Sequence, residues 1–473
     1  MSMVLRVFNT MSGTEEEFRP IHGNKVNMFV CGPTVYDHTH IGHARTYLAY
    51  DIVSRYLRFK GYSVFYLMNI TDVDDKIIDR AKEKNIHPLE LSRHFTEEFL
   101  RDLALIGVSS TNLFAKASEH IPEIIRQITE LLEKKCAYRV NGDIYFDISK
   151  FPDYGRLSHQ NPEELKRHRI EPDPGKRDPS DFSLWKSRKK GELGWESPWG
   201  WGRPGWHIED TAITETYFGD QYDIHGGAIE LVFPHHEAEI AQAESASGKK
   251  PLVRYWIHTG MVNVKGQKMS KSLGNFVTIR EVLEKYDPNV LRVFFASSHY
   301  RSPIDYTPTN LQNAQENYRR ITNAYTEAQQ RLGNAPLKEE TNDLEFLKIA
   351  LDLENEFMEA MDDDFNTPVA LSTAINFAKR LEAYVIQNPG KNSLSPALQI
   401  LGKFSSMLGI SLSKSQDSQP KILDGLVSLV VNLRNEARAR NDWTTADKIR
   451  DRLSALKISL EDTQSGTRWR RTD

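Results

Sequence analysis

The stretch Phe29-Val-Cys-Gly-Pro-Thr-Val-Tyr-Asp-His-Thr-His-Ile-Gly-His-Ala-Arg45 decides the fold of this chain. The apolar run at residues 26–30 predicts a fully buried strand, which Gly32 and Pro33 end. A helix then opens at the His-Ile-Gly-His segment and is predicted to span residues 40–60. A strand that leads into a helix N-terminus favours phosphate binding, because the N–H groups at that end and the helix dipole both attract anions.

A second apolar run, residues 64–70, follows this helix. The order strand, helix, strand predicts a right-handed βαβ unit on a parallel sheet. Cys31 lies at the end of the first strand, which is the edge where such sheets bind ligands. Several aspartates follow the second strand and could hold a cation, but a helix N-cap at Asp72 or Asp74 is the favoured interpretation.

The composition is that of an ordinary globular protein. The chain has 473 residues, too many for one hydrophobic core, which predicts roughly three or four structural units. Charged residues make up 27 % and the net charge is −4, so nucleic acid would have to meet local basic surface. The two cysteines, Cys31 and Cys136, argue for a reducing compartment. No apolar run is long enough to span a membrane and no signal peptide is evident, so a cytoplasmic location is expected.

The segment His40-x-Gly-His43 is weak evidence alone, but a later Lys268-Met-Ser-Lys-Ser272 loop makes the pair specific. The pair resembles the ATP-binding signature of class I aminoacyl-tRNA synthetases. Forming an adenylate places negative charge on a phosphoryl centre, which positioned donors stabilise. The alternative is a solvated lysine loop and a helix-capping histidine. The predicted catalytic residues are His40, His43, Lys268 and Lys271, and the predicted ATP-binding residues are Thr34, His40, Gly42, His43, Lys268, Ser270 and Lys271.

A metal site is also possible. His235 and Glu239 are four residues apart, so they share one face of a predicted helix. Cys31 belongs to the same edge of the sheet, and zinc takes cysteine, histidine and carboxylate ligands. The alternative is a helix N-terminus with favourably placed acids and an uninvolved buried cysteine. Spacing alone leaves both interpretations open.

Over nearly its full length the chain resembles the cysteinyl-tRNA synthetase family. The matching segments are residues 29–45, 69–76, 181–186, 202–209, 223–227, 233–242, 268–275, 362–368 and 434–470. The family binds the substrate thiolate with a zinc ion held by two cysteines, a histidine and a glutamate. Three ligands carry over as Cys31, His235 and Glu239, whereas Asp210 occupies the position of the second cysteine. Asp210 is either a harder, oxygen ligand or only the N-cap of a helix at residues 211–218, and the ligand interpretation is favoured.

The resemblance implies one zinc ion per chain and Mg²⁺ with ATP. It also implies that Cys31, Trp206 and His225 contribute to the cysteine-binding pocket, with Thr71 and Asp72 as weaker candidates. A metal is useful because a shaped pocket rejects a near-isostere such as serine by only ~10²-fold. A thiolate binds zinc, while a serine hydroxyl stays protonated.

The end of the chain combines arginines with tryptophans, which suits stacking on unpaired bases. A basic helix face is more often simply solvated, but the resemblance favours tRNA binding. The candidate tRNA-binding residues are Arg434, Arg438, Trp443, Trp469 and Arg470.

The expected activity is ATP-dependent formation of cysteinyl-adenylate and transfer of cysteine to the 3′ end of tRNA(Cys). The expected partners are therefore ATP, L-cysteine and tRNA(Cys), and the chain is expected to be a monomer. Two alternatives remain: a ligase that passes cysteine to a small amine, and a non-catalytic tRNA-binding paralogue. Intact His40, His43, Lys268 and Lys271 argue against the paralogue.

The predicted fold class is α/β, with a doubly wound parallel-sheet (Rossmann-like) catalytic domain that carries an insertion, then an α-helical bundle and a small C-terminal domain. The predicted segments are 1–81 (first half of the catalytic domain), 82–204 (connective insertion), 205–275 (second half, with the lysine loop), 276–310 (stem-contact region), 311–410 (helical bundle), 411–422 (linker) and 423–473 (tRNA anticodon-binding unit), the last being two helices and a polar tail at residues 466–471.

Overall fold

The structure is a computed structural model, and it describes residues 4–160, 175–188, 191–269, 274–337, 341–412, 418–456, 458–463 and 466–471. The chain divides into two compact units, Met1–Leu412 and Ser413–Asp473, which are described separately below. Within the described residues, no helix has the length and apolar character that a membrane span requires.

The first unit combines strands and helices throughout its length. Its strands are β1 (Arg6–Asn9), β2 (Thr14–Glu17), β3 (Lys25–Val30), β4 (Ser63–Ile70), β5 (Leu113–Lys116), β6 (Ala137–Val140), β7 (Asp143–Phe146), β8 (Phe182–Ser187), β9 (Gly202–Pro204), β10 (Tyr222–Ala228), β11 (Val253–Thr259), β12 (Val262–Val264), β13 (Gln267–Lys268) and β14 (Ile304–Tyr306). Its helices are α1 (Ile41–Phe59), α2 (Asp75–Lys84), α3 (Pro88–Leu105), α4 (Ile121–Glu133), α5 (Ile208–Phe218), α6 (Glu237–Ser247), α7 (Ile279–Leu283), α8 (Pro288–Ala296), α9 (Pro308–Asn334), α10 (Thr341–Asp362), α11 (Thr367–Val385) and α12 (Lys391–Leu408).

The central sheet has five parallel strands in the order β11-β10-β3-β4-β5. This confirms the predicted parallel-sheet fold and the βαβ unit formed by β3, α1 and β4. Because every strand runs in the same direction, the segments that follow β3, β4, β10 and β11 all leave from one edge. That edge carries the candidate site.

One expectation about the sheet is wrong. The segment expected to be an insertion, residues 82–204, contributes β5, which pairs with β4 from Leu67–Leu113 to Ile70–Lys116. A four-residue strand between helices α3 and α4 is too short to show periodicity. Downstream, the same segment forms a separate antiparallel sheet in the order β6-β7-β8-β9.

Helix α1 packs against the sheet as its apolar spacing predicts. The helix face that was predicted to be apolar is buried, and it carries Leu48, Ile52, Val53 and Tyr56 at helical spacing. Asp74 caps the N-terminus of α2, because its side chain accepts the backbone N–H of Lys76. The N-cap interpretation of the aspartate cluster is therefore confirmed at that residue.

The second unit contains α13 (Ser418–Ala439), α14 (Trp443–Ala455), β15 (Ile458–Thr463) and β16 (Gly466–Arg471). The two strands form an antiparallel hairpin in which Leu460 lies opposite Trp469. The expectation of a polar tail at residues 466–471 is wrong, because those residues form β16. With a single large apolar residue, Trp469, this segment lacks the alternation by which a strand is recognised.

A buried ion pair joins the helices of the first unit behind the sheet. Arg292, on α8, is 1 % exposed, and its guanidinium donates to the Asp51 carboxylate of α1 (Nη1–Oδ2, 2.8 Å). It also donates to the carbonyls of Gly107 (2.7 Å) and Leu408 (3.3 Å), beyond α3 and at the end of α12. Burial opposes ionisation of Asp51, but Arg292 and Arg55 outweigh it and lower the pKa of this carboxyl.

We expect Asp51→Asn to reduce the free energy of unfolding by about 3–5 kcal/mol, because it leaves the Arg292 guanidinium buried without its counter-charge. The measurement is urea unfolding near neutral pH. Glu83→Gln, which removes one partner of the exposed Arg80–Glu83 pair, is the control and should change stability by less than about 1 kcal/mol. Equal effects of the two substitutions would contradict a stabilising role for the buried pair.

The same pair predicts a pH dependence. Since the folded pKa of Asp51 lies below its unfolded value of about 3.9, its stabilisation is fully present above that pH and is lost as the pH falls through the folded pKa. The stability difference between the wild type and Asp51→Asn should therefore shrink below about pH 4.

Candidate active site and metal centre

A cavity of about 650 Å³ opens at the C-terminal edge of the central sheet. Its wall is built by the segments that follow β3, β4 and β10, by the start of α1 and by the hairpin that contains β13. The predicted site residues that line it are Cys31, Thr34, His40, Gly42, His43, Trp206, Asp210, His235 and Lys268. Ser270 and Lys271 lie outside the described residues.

His40 is the N-cap of α1. Its Nδ1 accepts the backbone N–H groups of Gly42 (3.1 Å) and His43 (3.4 Å), and the Nδ1 of His43 accepts the N–H of His40 (3.4 Å). The two rings stack, with their centroids 3.8 Å apart. Because Nδ1 accepts in both rings, each neutral imidazole carries its proton on Nε2, which makes Nε2 a donor. The capping interpretation and the phosphate-donor interpretation are therefore compatible.

Gly42 is required by the close packing of this turn. A Cβ at this position would lie 2.8 Å from Cε1 of His40 and 3.5 Å from Cε of Met269. A larger residue would displace the capping imidazole. The lysine hairpin comes close to the same point, since the side chain of Met269 ends near Gly42 and both residues line the cavity.

Lys268 lies at the end of β13, and its ammonium contacts the carboxylate of Glu230, which also lines the cavity. The chain beyond the lysine loop returns to the signature segment. The N–H of Ile41 donates to the carbonyl of Val277, and the N–H of Ile279 donates to the carbonyl of Thr39, both at 3.1 Å. Backbone hydrogen bonds thus join the His40 segment to the chain that directly follows the lysine loop.

The four predicted metal ligands converge beside the cavity. One donor atom from each of Cys31, Asp210, His235 and Glu239 lies within 4.8 Å of the other three. His235 Nε2 is 3.0 Å from Asp210 Oδ2 and 3.0 Å from Glu239 Oε1, and Cys31 Sγ is 3.5 Å from Asp210 Oδ2. All four residues are buried.

Each donor comes from a different local structure. Cys31 follows β3, Asp210 lies in the first turn of α5, and Glu239 lies in the first turn of α6. His235 belongs to the wide turn Val232–His236, in which Phe233 has extended dihedral angles (φ −134°, ψ 131°). The predicted i, i+4 relation between His235 and Glu239 holds across that turn, as their 3.0 Å contact shows.

The structure excludes the N-cap interpretation of Asp210. Helix α5 begins at Ile208, with His207 at its N-cap position, so Asp210 lies inside the first turn. Its side chain faces Cys31, His235 and Asn69 instead of the helix N-terminus.

The electrostatics of the cluster favour a cation. Burial, and then the charges of Glu239 and Asp210, raise the pKa of the Cys31 thiol well above its usual range. Burial, followed by Asp210 and Glu209, raises the pKa of Glu239. Burial and neighbouring imidazoles lower the pKa values of His225 and His236, so these rings stay neutral. Within the described part of the chain, the ion-pair partners of Asp210 and Glu239 are the imidazoles of His235 and His225, with no lysine or arginine among them.

The hydrogen bonding of Glu239 also fits a metal. This carboxylate is fully buried, yet neither oxygen has a hydrogen-bond partner among the described residues, which is rare for a buried polar group. The 3.0 Å approach of His235 Nε2 does not have the geometry of a hydrogen bond. A carboxylate in this position is expected to coordinate an ion. The donor set of one sulfur, one imidazole nitrogen and two carboxylates is within the range that zinc accepts.

A second group of possible ligands shares two residues with the first. Cys31 and Glu239 also lie within reach of His225 and His236, with Sγ 3.3 Å and 3.2 Å from the two Nε2 atoms. Both of these imidazoles are 0 % exposed and neither lines the cavity, whereas Asp210 and His235 do. Three members of the first group therefore face the cavity, against one of the second, so the first group is the better placed for an ion that a bound small molecule would reach.

Two findings concern the amino-acid end of the site. His225 does not line the cavity, since its buried ring stacks on Trp256 and lies 3.3 Å from Cys31 Sγ through Nε2, so its role in the cysteine-binding pocket stays a prediction. Trp206 does line the cavity, where its ring stacks on His235 with a centroid distance of 4.3 Å. Thr71 also lines it, whereas Asp72 accepts hydrogen bonds from Ser118 outside it.

Sequence reasoning missed three residues of this cluster. His236 contacts Cys31, His207 lies 2.7 Å from His235 between their Nδ1 atoms, and Asn69 contacts Asp210. Each had a signal: His236 adjoins a candidate ligand, His207 adjoins Trp206, and Asn69 is near the end of the strand next to that of Cys31.

The second unit offers fewer candidate RNA contacts than expected. Arg434 is 1 % exposed, so its guanidinium is part of the packing of that unit. Trp469 is partly buried against the small core of the same unit. Trp443 is 55 % exposed, with the Arg438 guanidinium 5.8 Å from its ring centroid. The side chain of Arg470 lies outside the described residues.

The fold and the sequence have known relatives. Residues 17–316 match the family of tRNA synthetase class I (C) catalytic domains, and residues 356–413 match the DALR domain. The fold is similar to that of a methionyl-tRNA synthetase from Mycobacterium tuberculosis in complex with methionyl-adenylate, with a TM-score of 0.59 and 15 % identity over 86 % of this chain and 94 % of that one.

Full-length sequence relatives are much closer. A cysteine--tRNA ligase of Thermococcus onnurineus is 46 % identical over 99 % of both chains. A cysteine--tRNA ligase of Anoxybacillus flavithermus is 44 % identical over 99 % of this chain and all of its own. With a signature pair, a converging ligand set and full-length similarity, the chain belongs to the cysteine--tRNA ligase family of class I aminoacyl-tRNA synthetases.

Proposed function

We propose that this chain activates L-cysteine with ATP and transfers it to the 3′ end of tRNA(Cys). One observation carries the proposal: three of the four candidate metal ligands, Cys31, Asp210 and His235, line the same cavity as the signature histidines, and Glu239 lies directly behind them. Such a cavity can hold a thiol at one end and a triphosphate at the other. The names of the full-length relatives support the same substrate and acceptor.

At the phosphate end, the chain supplies donors that are held in place before ATP binds. His40 and His43 present Nε2 donors at the N-terminus of α1, where the helix dipole adds a favourable potential. Lys268, which contacts Glu230 here, would instead bind the phosphates of ATP, and Lys271 would assist it; Mg²⁺ would accompany the ATP. These groups stabilise charge as the cysteine carboxylate attacks the α-phosphorus and pyrophosphate leaves.

At the amino-acid end, Cys31, Asp210, His235 and Glu239 would hold one zinc ion. When bound, zinc would supply a Lewis-acidic position that favours a thiolate over a serine hydroxyl. Trp206 covers His235 and is 39 % exposed, so its ring forms the wall against which the substrate packs. The buried imidazoles behind Cys31 exclude water from that side.

In the second step, a hydroxyl of the terminal adenosine of tRNA attacks the carbonyl carbon of the adenylate, and AMP leaves. The segment 423–473 is our candidate anticodon-binding unit, with Arg438 and Trp443 as the accessible contacts. Residues 276–310 are the candidate stem-contact region and 311–410 the candidate bundle. We place the reaction in the cytoplasm and treat the chain as a monomer.

The two alternative functions receive less support. A cysteine ligase for small amines would not need the C-terminal unit, yet the relatives match the chain over 99 % of its length. A non-catalytic paralogue would not need the signature residues, yet His40, His43 and Lys268 line the cavity.

Pyrophosphate exchange tests the proposal. We expect cysteine-dependent ATP–pyrophosphate exchange, discrimination against serine above the ~10²-fold that shape alone provides, and charging of tRNA(Cys). Purified protein should contain one zinc ion, and its removal should abolish discrimination. No exchange would indicate the paralogue, and exchange without charging would indicate the small-amine ligase.

Two histidines that cap helices, His40 and His87, allow the effect of His40→Ala on catalysis to be distinguished from its effect on helix stability. His40→Ala should reduce kcat/KM for exchange by about 10²–10³-fold, because it removes a donor to the transition state. His87 caps α3 through the N–H of Leu89 and lies outside the cavity wall, so His87→Ala is the matched control.

Both substitutions should cost about 1 kcal/mol of stability through the lost cap. Exchange kinetics and thermal unfolding are measured on both variants. If His87→Ala slows exchange as much as His40→Ala, the loss reflects helix stability and the donor role is refuted.

A further inference from the structure

We propose that Asn69 is the positioning residue that orients the Asp210 carboxylate for metal binding, an inference that rests on the metal site proposed above. Asn69 is near the end of β4, next to β3, and is 1 % exposed. Its amide reaches two of the four candidate ligand segments. Among the described residues, it makes no hydrogen bond to the phosphate-binding residues of the signature pair.

The first contact fixes the orientation of the amide. The backbone N–H of Gly32, directly after Cys31, donates to Oδ1 of Asn69 at 2.5 Å. A backbone N–H can only donate, so the amide oxygen must face Gly32. The amide nitrogen therefore faces the opposite side, where Asp210 lies.

The second contact uses that nitrogen. Nδ2 of Asn69 donates to Oδ1 of Asp210 at 2.5 Å. With Oδ1 engaged, Oδ2 is the oxygen that faces His235 Nε2 (3.0 Å) and Cys31 Sγ (3.5 Å). The carboxylate is thus held as a one-oxygen ligand, and hydrogen bonds to a charged acceptor are the stronger kind.

Gly32 permits this arrangement. A Cβ at Gly32 would lie 1.7 Å from the backbone oxygen of Asn69, so only glycine lets the two strand ends approach so closely. The same approach fixes the position of Cys31 relative to Asn69. One side chain therefore sets the geometry of a sulfur ligand and an oxygen ligand together.

The neighbouring carboxylate is held away from the donors. Thr71, two residues after Asn69, donates its hydroxyl to Oε1 of Glu209. Within the described residues, Glu209 is not among the groups whose donor atoms converge. Of the adjacent residues Glu209 and Asp210, only Asp210 would face the proposed ion. Asn69 holds the Asp210 carboxylate toward the other ligands, and Thr71 holds the Glu209 carboxylate away from them.

The test is zinc affinity, measured by competition with a chromophoric chelator on full-length protein. Asn69→Leu removes both contacts, together with the longer donation from Nδ2 to Thr71 Oγ1 (3.4 Å), and should weaken zinc binding about 10–100-fold, as loss of such an orienting partner does. Asn69→Asp keeps an acceptor for Gly32 but offers no donor to Asp210, so it should weaken binding as much. Asn69 is not itself a ligand, so zinc stoichiometry at saturation should stay at one.

A second background separates positioning from general structure. In the Asp210→Cys background, the ligand at position 210 is a single sulfur atom, with no second oxygen to orient. Adding Asn69→Leu to that background should therefore weaken zinc affinity by less than about threefold, below the usual effect of losing an orienting partner. Asn9→Leu is the control for losing a buried amide, since Asn9 bonds to the backbone N–H of Trp256 and the carbonyl of Arg254 and, among the described residues, makes no hydrogen bond to a candidate ligand. It should leave zinc affinity unchanged.

The outcomes are distinct. If wild-type protein binds no zinc, the proposed metal site itself fails. If the wild type binds zinc but Asn69→Leu stays within about threefold of it, short of the usual effect of an orienting partner, the positioning role is overturned. Equal losses in both backgrounds also overturn it, because they indicate a structural effect. Unchanged thermal unfolding of the apo variants shows that the comparison is between folded proteins.

Discussion

The arrangement of this enzyme depends on one constraint: acidic donors are buried together and, within the described residues, their ion-pair partners are imidazoles and not lysine or arginine. Cys31, Asp210 and Glu239 are buried, and the imidazoles of His225 and His236 beside them are kept neutral by burial. An isolated charge in such a place is too costly to retain, so it is neutralised by a proton or a cation. These donors fit a site that binds a cation. A carboxylate that is placed to coordinate a cation would also leave the oxygens of Glu239 without hydrogen-bond partners.

The parallel sheet explains why this site and the nucleotide signature share a cavity. Cys31 and the segment leading to His40 both follow β3. One strand end therefore leads to a candidate metal ligand and to a candidate ATP-binding residue. The neighbouring strands add Asn69 and Thr71 on one side and Glu230 on the other. The candidate metal ligands and the candidate phosphate-binding residues therefore lie at one cavity, without a separate domain for either.

Much of this could be predicted from the sequence, and the failures have physical causes. The strand before Cys31, helix α1 and the relation between His235 and Glu239 follow from local periodicity. The short strand β5 and the hairpin strand β16 lack that periodicity. The burial of His225 and Arg434 depends on which neighbours the fold brings together, which no spacing rule encodes. The sequence did not indicate Asn69, because its proposed role depends on contacts with Gly32 and Asp210, which are distant in sequence.

With Asp210 in place of a second cysteine, the candidate ligand set contains one soft sulfur donor fewer and one hard oxygen donor more. If the four ligands hold zinc as proposed, the substrate thiolate becomes the second sulfur at the metal. X-ray absorption spectroscopy at the zinc edge measures this directly. The protein alone should show one sulfur at about 2.3 Å, and L-cysteine should raise the count to two while L-serine leaves it at one. A count that does not change with L-cysteine would contradict metal-based selection of the thiol.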